Sequence, residues 1–244
     1  KGNSVILHDV GISCRRIVNG LKELHIDMAQ VEGIFISHEH SDHIAGLQQL
    51  LKRFDIPVYT KQGTWREIQN KLIVPKNQLI ELTKGSLTLG NLIVEPFAVS
   101  HDAADPIGIN VFAGKDKATV VTDTGVISDS ILRRMDDTTL LVLEANYDPH
   151  MLRFGPYQPF LKQRVASDEG HLSNEMAAQA LLMMNRPDFM QVILAHRSEN
   201  NNNAVLVTQT IGKMLVDGGV RIGPEMKLQH GQPNEIVSMK SVKR

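Results

Sequence analysis

An apolar run, Gly33-Ile-Phe-Ile36, passes through Ser37 straight into His38-Glu-His40-Ser-Asp42-His43, so three histidines and an aspartate fall within six positions. Few folds can absorb a strand that ends this way. His38 and His40 stand two apart in extended chain and point to the same side, while Asp42 and His43 turn back at the start of a following helix. One turn of this kind can feed two adjacent metal ions. A solvated polar loop is the competing interpretation, and it gives no reason for so many ligand types directly after an apolar strand.

The rest of the chain alternates strand-like and helix-like runs. Val5–His8, Gly33–Ser37, Leu92–Ser100, Ile107–Gly114, Ala118–Asp123, Leu140–Glu144 and Met190–Ala195 are apolar, rich in β-branched residues and bounded by turn residues, which predicts strands. Helical spacing covers Ile44–Phe54, Thr64–Leu72, Asp129–Met135, Asn174–Asn185 and Ala204–Val216, with Ser128 and Ser173 placed as N-caps. Gly114-Lys-Asp-Lys117 reads as a hairpin turn. No Pro/Gly/Ser-rich linker, repeat or low-complexity tract breaks this order, and the one charge run is Lys240–Arg244. A single domain over 1–244 is therefore expected, of mixed α/β class. At 244 residues such a domain buries about 70–75% of its unfolded surface and needs no covalent staple.

Three more candidate ligands stand where predicted strands end: His101, Asp123 and His196. Strand ends gathered on one rim are where layered α/β proteins build sites. Taken singly, each could cap a turn. The whole set is imidazole and carboxylate, which suits zinc, manganese or iron and excludes metals selected by thiolate.

The run SHEHSDH together with His101, Asp123 and His196 resembles the metallo-β-lactamase superfamily. That resemblance covers nearly the whole chain and implies a four-layer αββα sandwich with a dinuclear centre. It assigns His38, His40 and His101 to one metal and Asp42, His43 and His196 to the second, with Asp123 bridging. Two divalent ions per chain are implied, Zn²⁺ first, with Mn²⁺ and Fe²⁺ as alternatives.

Further stretches, Glu144-Ala-Asn-Tyr-Asp148, Gly155-Pro-Tyr157, Gly170-His-Leu-Ser-Asn174 and Leu194-Ala-His-Arg-Ser198 with Asn201-Asn202, resemble the WalJ (YycJ) group of bacterial nucleases. This group is related to the tRNA-processing phosphodiesterases. Two departures stand out: Arg197 occupies a place where an apolar residue is expected, and the Ser/Gly-rich hairpin before Lys1 is largely missing. The chain also starts without Met, so residues are expected to precede it.

Physically, Glu144 ends an apolar strand and His171 precedes a helix, so the carboxylate could hold the imidazole in one tautomer. Phosphodiester cleavage needs such a proton donor, because an alkoxide leaves poorly. In the resembled phosphodiesterases the matching pair has that role, with a metal-bridging hydroxide as nucleophile and Asp42 as both ligand and orienting acceptor. The alternative for His171 is a helix-entry residue packed on the sheet. Ser173, Asn174, Ser198, Asn201 and Asn202 are small donors near predicted helix starts and are candidate phosphate contacts, although each is also an ordinary cap or turn residue. His8, His25, His150 and His230 fall outside the pattern and are expected to be structural. So is the apolar stripe Met176, Ala177, Ala180, Leu181, Met183 and Met184. Arg153, Lys162 and Arg164 could form a basic rim or simply a solvated face.

With 26 Lys and Arg against 27 Asp and Glu, the formal charge is −1, so no whole-molecule field recruits a polyanion. Nucleic acid must be held locally. One cysteine, Cys14, excludes an internal disulfide framework and fits a reducing compartment, with the cytoplasm as default. No run is long and apolar enough to span a membrane. The leading expectation is a dinuclear phosphodiesterase acting on nucleic acid, with DNA attacked from its ends as the first choice. The rivals are a thioester or lactone hydrolase on the same metal core, a redox di-iron protein and a non-catalytic metal-binding protein. The di-iron class resembles H-x-E-x-D, whereas His40 stands at the second position here.

Overall fold

The computed structural model describes residues 4–83 and 85–239. Two compact units are evident. One comprises the chain up to Ala98 together with Ala103–Ile107; the other comprises Val99–Asp102 and the chain from Gly108 onward. The charge run Lys240–Arg244 lies outside the described residues.

In the first unit the elements run β1 (Val5–His8), α1 (Cys14–Glu23), β2 (Val31–Phe35), α2 (Ser41–Ile44), α3 (Leu47–Leu51), β3 (Val58–Thr60), α4 (Gln62–Lys71), β4 (Leu79–Glu81), β5 (Leu87–Leu89) and β6 (Leu92–Ala98). Strands β1 to β4 form a sheet in chain order, every pair parallel. Parallel strands are buried on both faces, and every residue of β2 except the half-buried Glu32 is buried. One core cluster joins Ile34, Ile36 and Val58 of the sheet region to Ile17 and Leu21 of α1, Leu47 and Leu50 of α3, and Trp65 and Ile68 of α4.

The helix expected over Ile44–Phe54 is two short helices, α2 and α3. Gly46 separates them because its backbone is in close contact with the β1–α1 loop. Its N–H donates to the Val10 carbonyl at 2.8 Å, and a Cβ there would lie 2.2 Å from the Ile12 carbonyl oxygen. Helix α1 was not expected. Cys14, Ile17 and Leu21 are its buried face, at spacings of three and four that a closer reading of the charged stretch would have found.

The second unit follows as β7 (Ile107–Ala113), β8 (Asp116–Val121), α5 (Asp129–Met135), β9 (Leu140–Glu144), α6 (Pro149–Phe154), α7 (Pro159–Val165), α8 (Asn174–Met183), β10 (Met190–Ala195), α9 (Ala204–Asp217) and β11 (Met226–His230). Its strands lie in the order β11-β10-β9-β8-β7. The hairpin β7–β8 is antiparallel and closes through Gly114 at φ 66°, a conformation that costs glycine no Cβ clash. The pairs β8–β9, β9–β10 and β10–β11 are parallel.

Ser128 and Ser173 cap α5 and α8 as expected, accepting from the Ile131 and Met176 amides. Helices α6 and α7 are not among the expected helices, and each is short and begins at a proline. Asp148 caps α6 by accepting from the Met151 amide at 2.8 Å. Residues Ala177, Ala178, Ala180 and Leu181 of α8 are buried, while Met183 is exposed.

Candidate metal-binding and acid–base residues

The predicted ligands of the first unit sit on the loop between β2 and α2. His38 and His43 are buried, whereas the Asp42 side chain is 65% exposed. The loop is organised by Asp9, a residue that sequence reasoning passed over. Asp9 follows β1 in a left-handed conformation, φ 56°, and its carboxylate accepts from the Ser37 amide and hydroxyl, both at 2.7 Å. The same carboxylate takes a bond from His43 Nδ1 at 2.8 Å.

Burial alone would raise the Asp9 carboxyl, but the charge on His8 and the bond from His43 outweigh it and hold Asp9 well below the usual carboxylate range. With Nδ1 of His43 committed, Nε2 is its lone-pair nitrogen, 3.5 Å from Asp42 Oδ2. Ser37 spends its proton on Asp9, so it accepts from His38 Nδ1 at 3.0 Å and leaves Nε2 as the lone-pair nitrogen of His38. That atom lies 2.9 Å from His40 Nδ1. Neighbouring ligands on a tetrahedral metal with bonds of 2.0–2.1 Å are about 3.3 Å apart. The two imidazoles are therefore spaced for one ion.

In the second unit the topology itself gathers the chemistry. Strands β8, β9 and β10 are adjacent and parallel, so the residues after Val121, at Glu144 and after Ala195 emerge on one edge. Asp123 and His196 both turn there through left-handed backbone, φ 56° and 52°. Ligand atoms of Asp123, Glu144, His171 and His196 lie within 4.8 Å of one another.

Glu144 is wholly buried. Its Oε1 accepts from His171 Nδ1 at 2.7 Å and from His196 Nδ1 at 2.8 Å, and Oε2 accepts from the amides of Thr124 and Leu172 at 3.1 and 3.3 Å. Burial of a carboxylate costs several kcal/mol, whereas hydrogen bonds to a charged group contribute about 1.5–3 kcal/mol each. Four donors are enough to win. Burial pushes the Glu144 carboxyl up, and the bonds and charges of His171 and His196 pull it down to about 2.

With Nδ1 of His196 held by Glu144, Nε2 is its lone-pair nitrogen, 3.4 Å from Asp123 Oδ1. His101 is fixed the same way. Its Nδ1 donates to the Gly170 carbonyl at 3.1 Å, and Nε2 lies 3.8 Å from Asp123 Oδ1. Burial lowers the His101 pKa, against the pull of Asp123, which keeps the ring neutral and able to ligate. His171 keeps Nε2 for a proton, with its side chain 18% exposed. The expected Glu144–His171 pair is thus present, and Glu144 holds a predicted metal ligand as well, which the sequence reading did not anticipate.

The expected phosphate contacts have other partners. Ser173 caps α8. Asn174 and Asn202 are buried and exchange amide hydrogen bonds at 3.1 and 2.8 Å, and Asn202 also donates to the Ala145 and Asn146 carbonyls. These two amides present no donor to solvent, because folding uses both to tie α8 to the loops after β9 and β10. Ser198 accepts from the amide and side chain of the buried Asn201. Arg197 is half-buried, and its charge adds to burial in lowering the pKa of His230. Among the described residues His8, His25, His150 and His230 join none of the groups able to hold a metal.

A family profile described as the β-lactamase superfamily domain matches residues 6–196. The chain is 34% identical over 230 residues to exodeoxyribonuclease YycJ of Bacillus anthracis, a match that covers 93% of this chain and 87% of that protein. It is 32% identical over 234 residues to exodeoxyribonuclease WalJ of Streptococcus pneumoniae, covering 94% and 87%. Among solved structures, the metallo-β-lactamase fold protein YhfI of Bacillus subtilis aligns with a TM-score of 0.67 at 16% identity, over 94% of this chain and 85% of that one. That likeness shows the fold.

Proposed function

The chain belongs to the β-lactamase superfamily, and from that membership we propose that it is a metal-dependent phosphodiesterase that shortens DNA from its ends. The names of the two relatives support the activity, since both are exodeoxyribonucleases aligned over most of their length. The single observation that carries the chemistry is the bond from His171 Nδ1 to the buried Glu144 carboxylate. A profile running from residue 6 to 196 supports treating the two compact units as one catalytic domain. A DNA substrate fits a cytoplasmic enzyme, and no helix among the described residues is long and apolar enough to cross a membrane.

The reading assigns one metal to His38, His40 and His101 and a second to Asp42, His43 and His196, with Asp123 shared. Zn²⁺ leads for this donor set, ahead of Mn²⁺ and Fe²⁺. Bound divalent ions lower the pKa of a coordinated water to roughly 7 and neutralise charge on the phosphoryl oxygens.

The protein's own residues do the remainder. Asp9, Ser37, Gly170 and Glu144 each fix a ring nitrogen of His43, His38, His101 or His196, so the tautomers are set before any ion arrives. Glu144 holds Nδ1 of His171, so the proton available to the departing oxygen is the one on Nε2. Its negative charge also stabilises the imidazolium needed for that transfer. A thioester or lactone leaving group needs no such donor.

The test is to supply end-labelled DNA, end-labelled RNA and a thioester in parallel, in Zn²⁺ or Mn²⁺. Stepwise shortening of DNA is the expected result, and turnover of the thioester alone would reject the reading.

A further inference from the structure

We propose that the elbow between α6 and α7 is a stacking platform for single-stranded DNA, on which successive bases lie against Phe154 and Phe160. The proposal rests on the phosphodiesterase reading and specifies the form of its substrate. Phe154 is 67% exposed and Phe160 71%, although both are large apolar rings on short helices. Residues 149–165 contain no Asp or Glu, although Asp148, Asp168 and Glu169 flank them; with Arg164 on Asp102, the elbow's own cations beside the rings are Arg153 and Lys162.

The Arg153 guanidinium lies 5.4 Å from the Phe154 ring centre, and the His150 ring 4.6 Å from it. Lys162 donates to the Arg153 carbonyl, while Arg164 is paired with Asp102. Exposed aromatics interleaved with cations are what an unpaired strand uses, because every base offers a π-face and every phosphate a charge.

The elbow is fastened to the segments that carry the acid–base residues. The Asp148 amide, four residues after Glu144, donates to the Asn201 carbonyl at 2.9 Å. Asn200 donates to the Tyr157 hydroxyl at 3.5 Å, so the loop that follows His196 meets the elbow twice. At the far end the His171 amide donates to the Val165 carbonyl at 2.9 Å. Phe160 stands five residues before Val165 in α7, roughly 8 Å along the helix axis. The two helices that carry the rings are thus tied at both ends to the segments that carry Glu144, His196 and His171, and the proposal sets the bases that follow the terminal phosphodiester against them. Such a platform holds a strand without a broad basic field, and the overall charge supplies none.

The variants F154A/F160A and F154Y/F160Y, both at exposed positions, test this on three substrates: a thymidine oligonucleotide, an oligonucleotide of equal length with abasic residues, and bis(p-nitrophenyl) phosphate. The alanine pair should raise KM for the thymidine strand about 10-fold or more, since stacking on one base is worth roughly a 5- to 150-fold change. It should leave bis(p-nitrophenyl) phosphate hydrolysis unchanged and abolish the preference for bases over abasic residues. The tyrosine pair should retain wild-type KM. An unchanged KM in the alanine pair overturns the platform, and so does a shift in oligomeric state without a change in KM, which would mark the rings as a protein contact. If the wild type cleaves neither DNA nor bis(p-nitrophenyl) phosphate, the phosphodiesterase reading fails by itself. The platform is then judged by anisotropy of the thymidine strand in chelator: weaker binding by the alanine pair sustains it, and equal or absent binding overturns it.

Discussion

Glu144 Oε1 accepts from His196 Nδ1 at 2.8 Å, across 52 residues of sequence, while the same oxygen holds His171. One carboxylate therefore orients both the proposed metal ligand and the proposed proton donor. Glu144→Gln should lose both functions, with metal affinity falling about 10- to 100-fold, the usual cost of removing a partner that orients a ligand, and the rate falling further than metal loss explains. Chelator-competition titration alongside kcat measures the two separately. Full metal affinity in the variant would remove His196 from the influence of Glu144.

His171 separates from that behaviour. His171→Ala should keep its metals and lose on the order of 10²–10⁴ in rate, the range of general acid catalysis. The loss should shrink for substrates whose leaving group needs no proton, such as a p-nitrophenyl ester of phosphate. A variant that binds less metal than wild type would contradict the donor role.

Two equivalents of divalent metal per chain are expected from the seven-residue set His38, His40, Asp42, His43, His101, Asp123 and His196. Elemental analysis after reconstitution should approach two, and a reproducible value of one at saturation would count against a dinuclear centre. Binding to the folded state alone should stabilise it by about 2.7 kcal/mol at a hundredfold excess over Kd. Chelator should lower Tm accordingly.

In metal-free protein Glu144 also governs acid stability. Its carboxyl titrates at about 2 in the fold against an ordinary 4.5, so between those values the unfolded chain binds the proton and the folded one does not. The stabilisation is complete above pH 4.5 and is lost as pH falls toward 2. Denaturant titrations across that window should show a shallower slope for Glu144→Gln, by up to about 1.4 kcal/mol per pH unit. Identical slopes would mean the native pKa is not depressed.

A free strand end reaches a rim site with less distortion than an internal phosphate of a stacked duplex. Linear DNA should therefore be degraded and covalently closed circular duplex spared under the same metal. With few phosphate contacts, binding should also depend weakly on salt. Equal cleavage of both topologies would refute end preference.

Several parts of this protein were legible in the sequence because they are local. His38 to His43 follow one apolar strand, Ser128 and Ser173 precede helical spacing, and Gly114 closes a hairpin; in each case the determining residues are neighbours. Asp123, Glu144 and His196 were legible for a different reason. Adjacent parallel strands bring their C-terminal ends to one edge, so a residue's place at a strand end already says where it emerges.

Tertiary structure decided what spacing does not encode, namely which side chain meets which over long separations. Asp9 reaches His43 across 34 residues and organises the loop after β2; its place after Val5–His8 marks a strand end, but not which side chain it meets. Asn174 and Asn202 had the composition of phosphate donors, but 28 residues apart they meet in a buried position and use their amides on each other. The physical reason is shared by both cases. A polar group carried into the interior must find a partner or pay full desolvation, and that partner is chosen by the packing of distant segments, after the pattern of any one segment has been read.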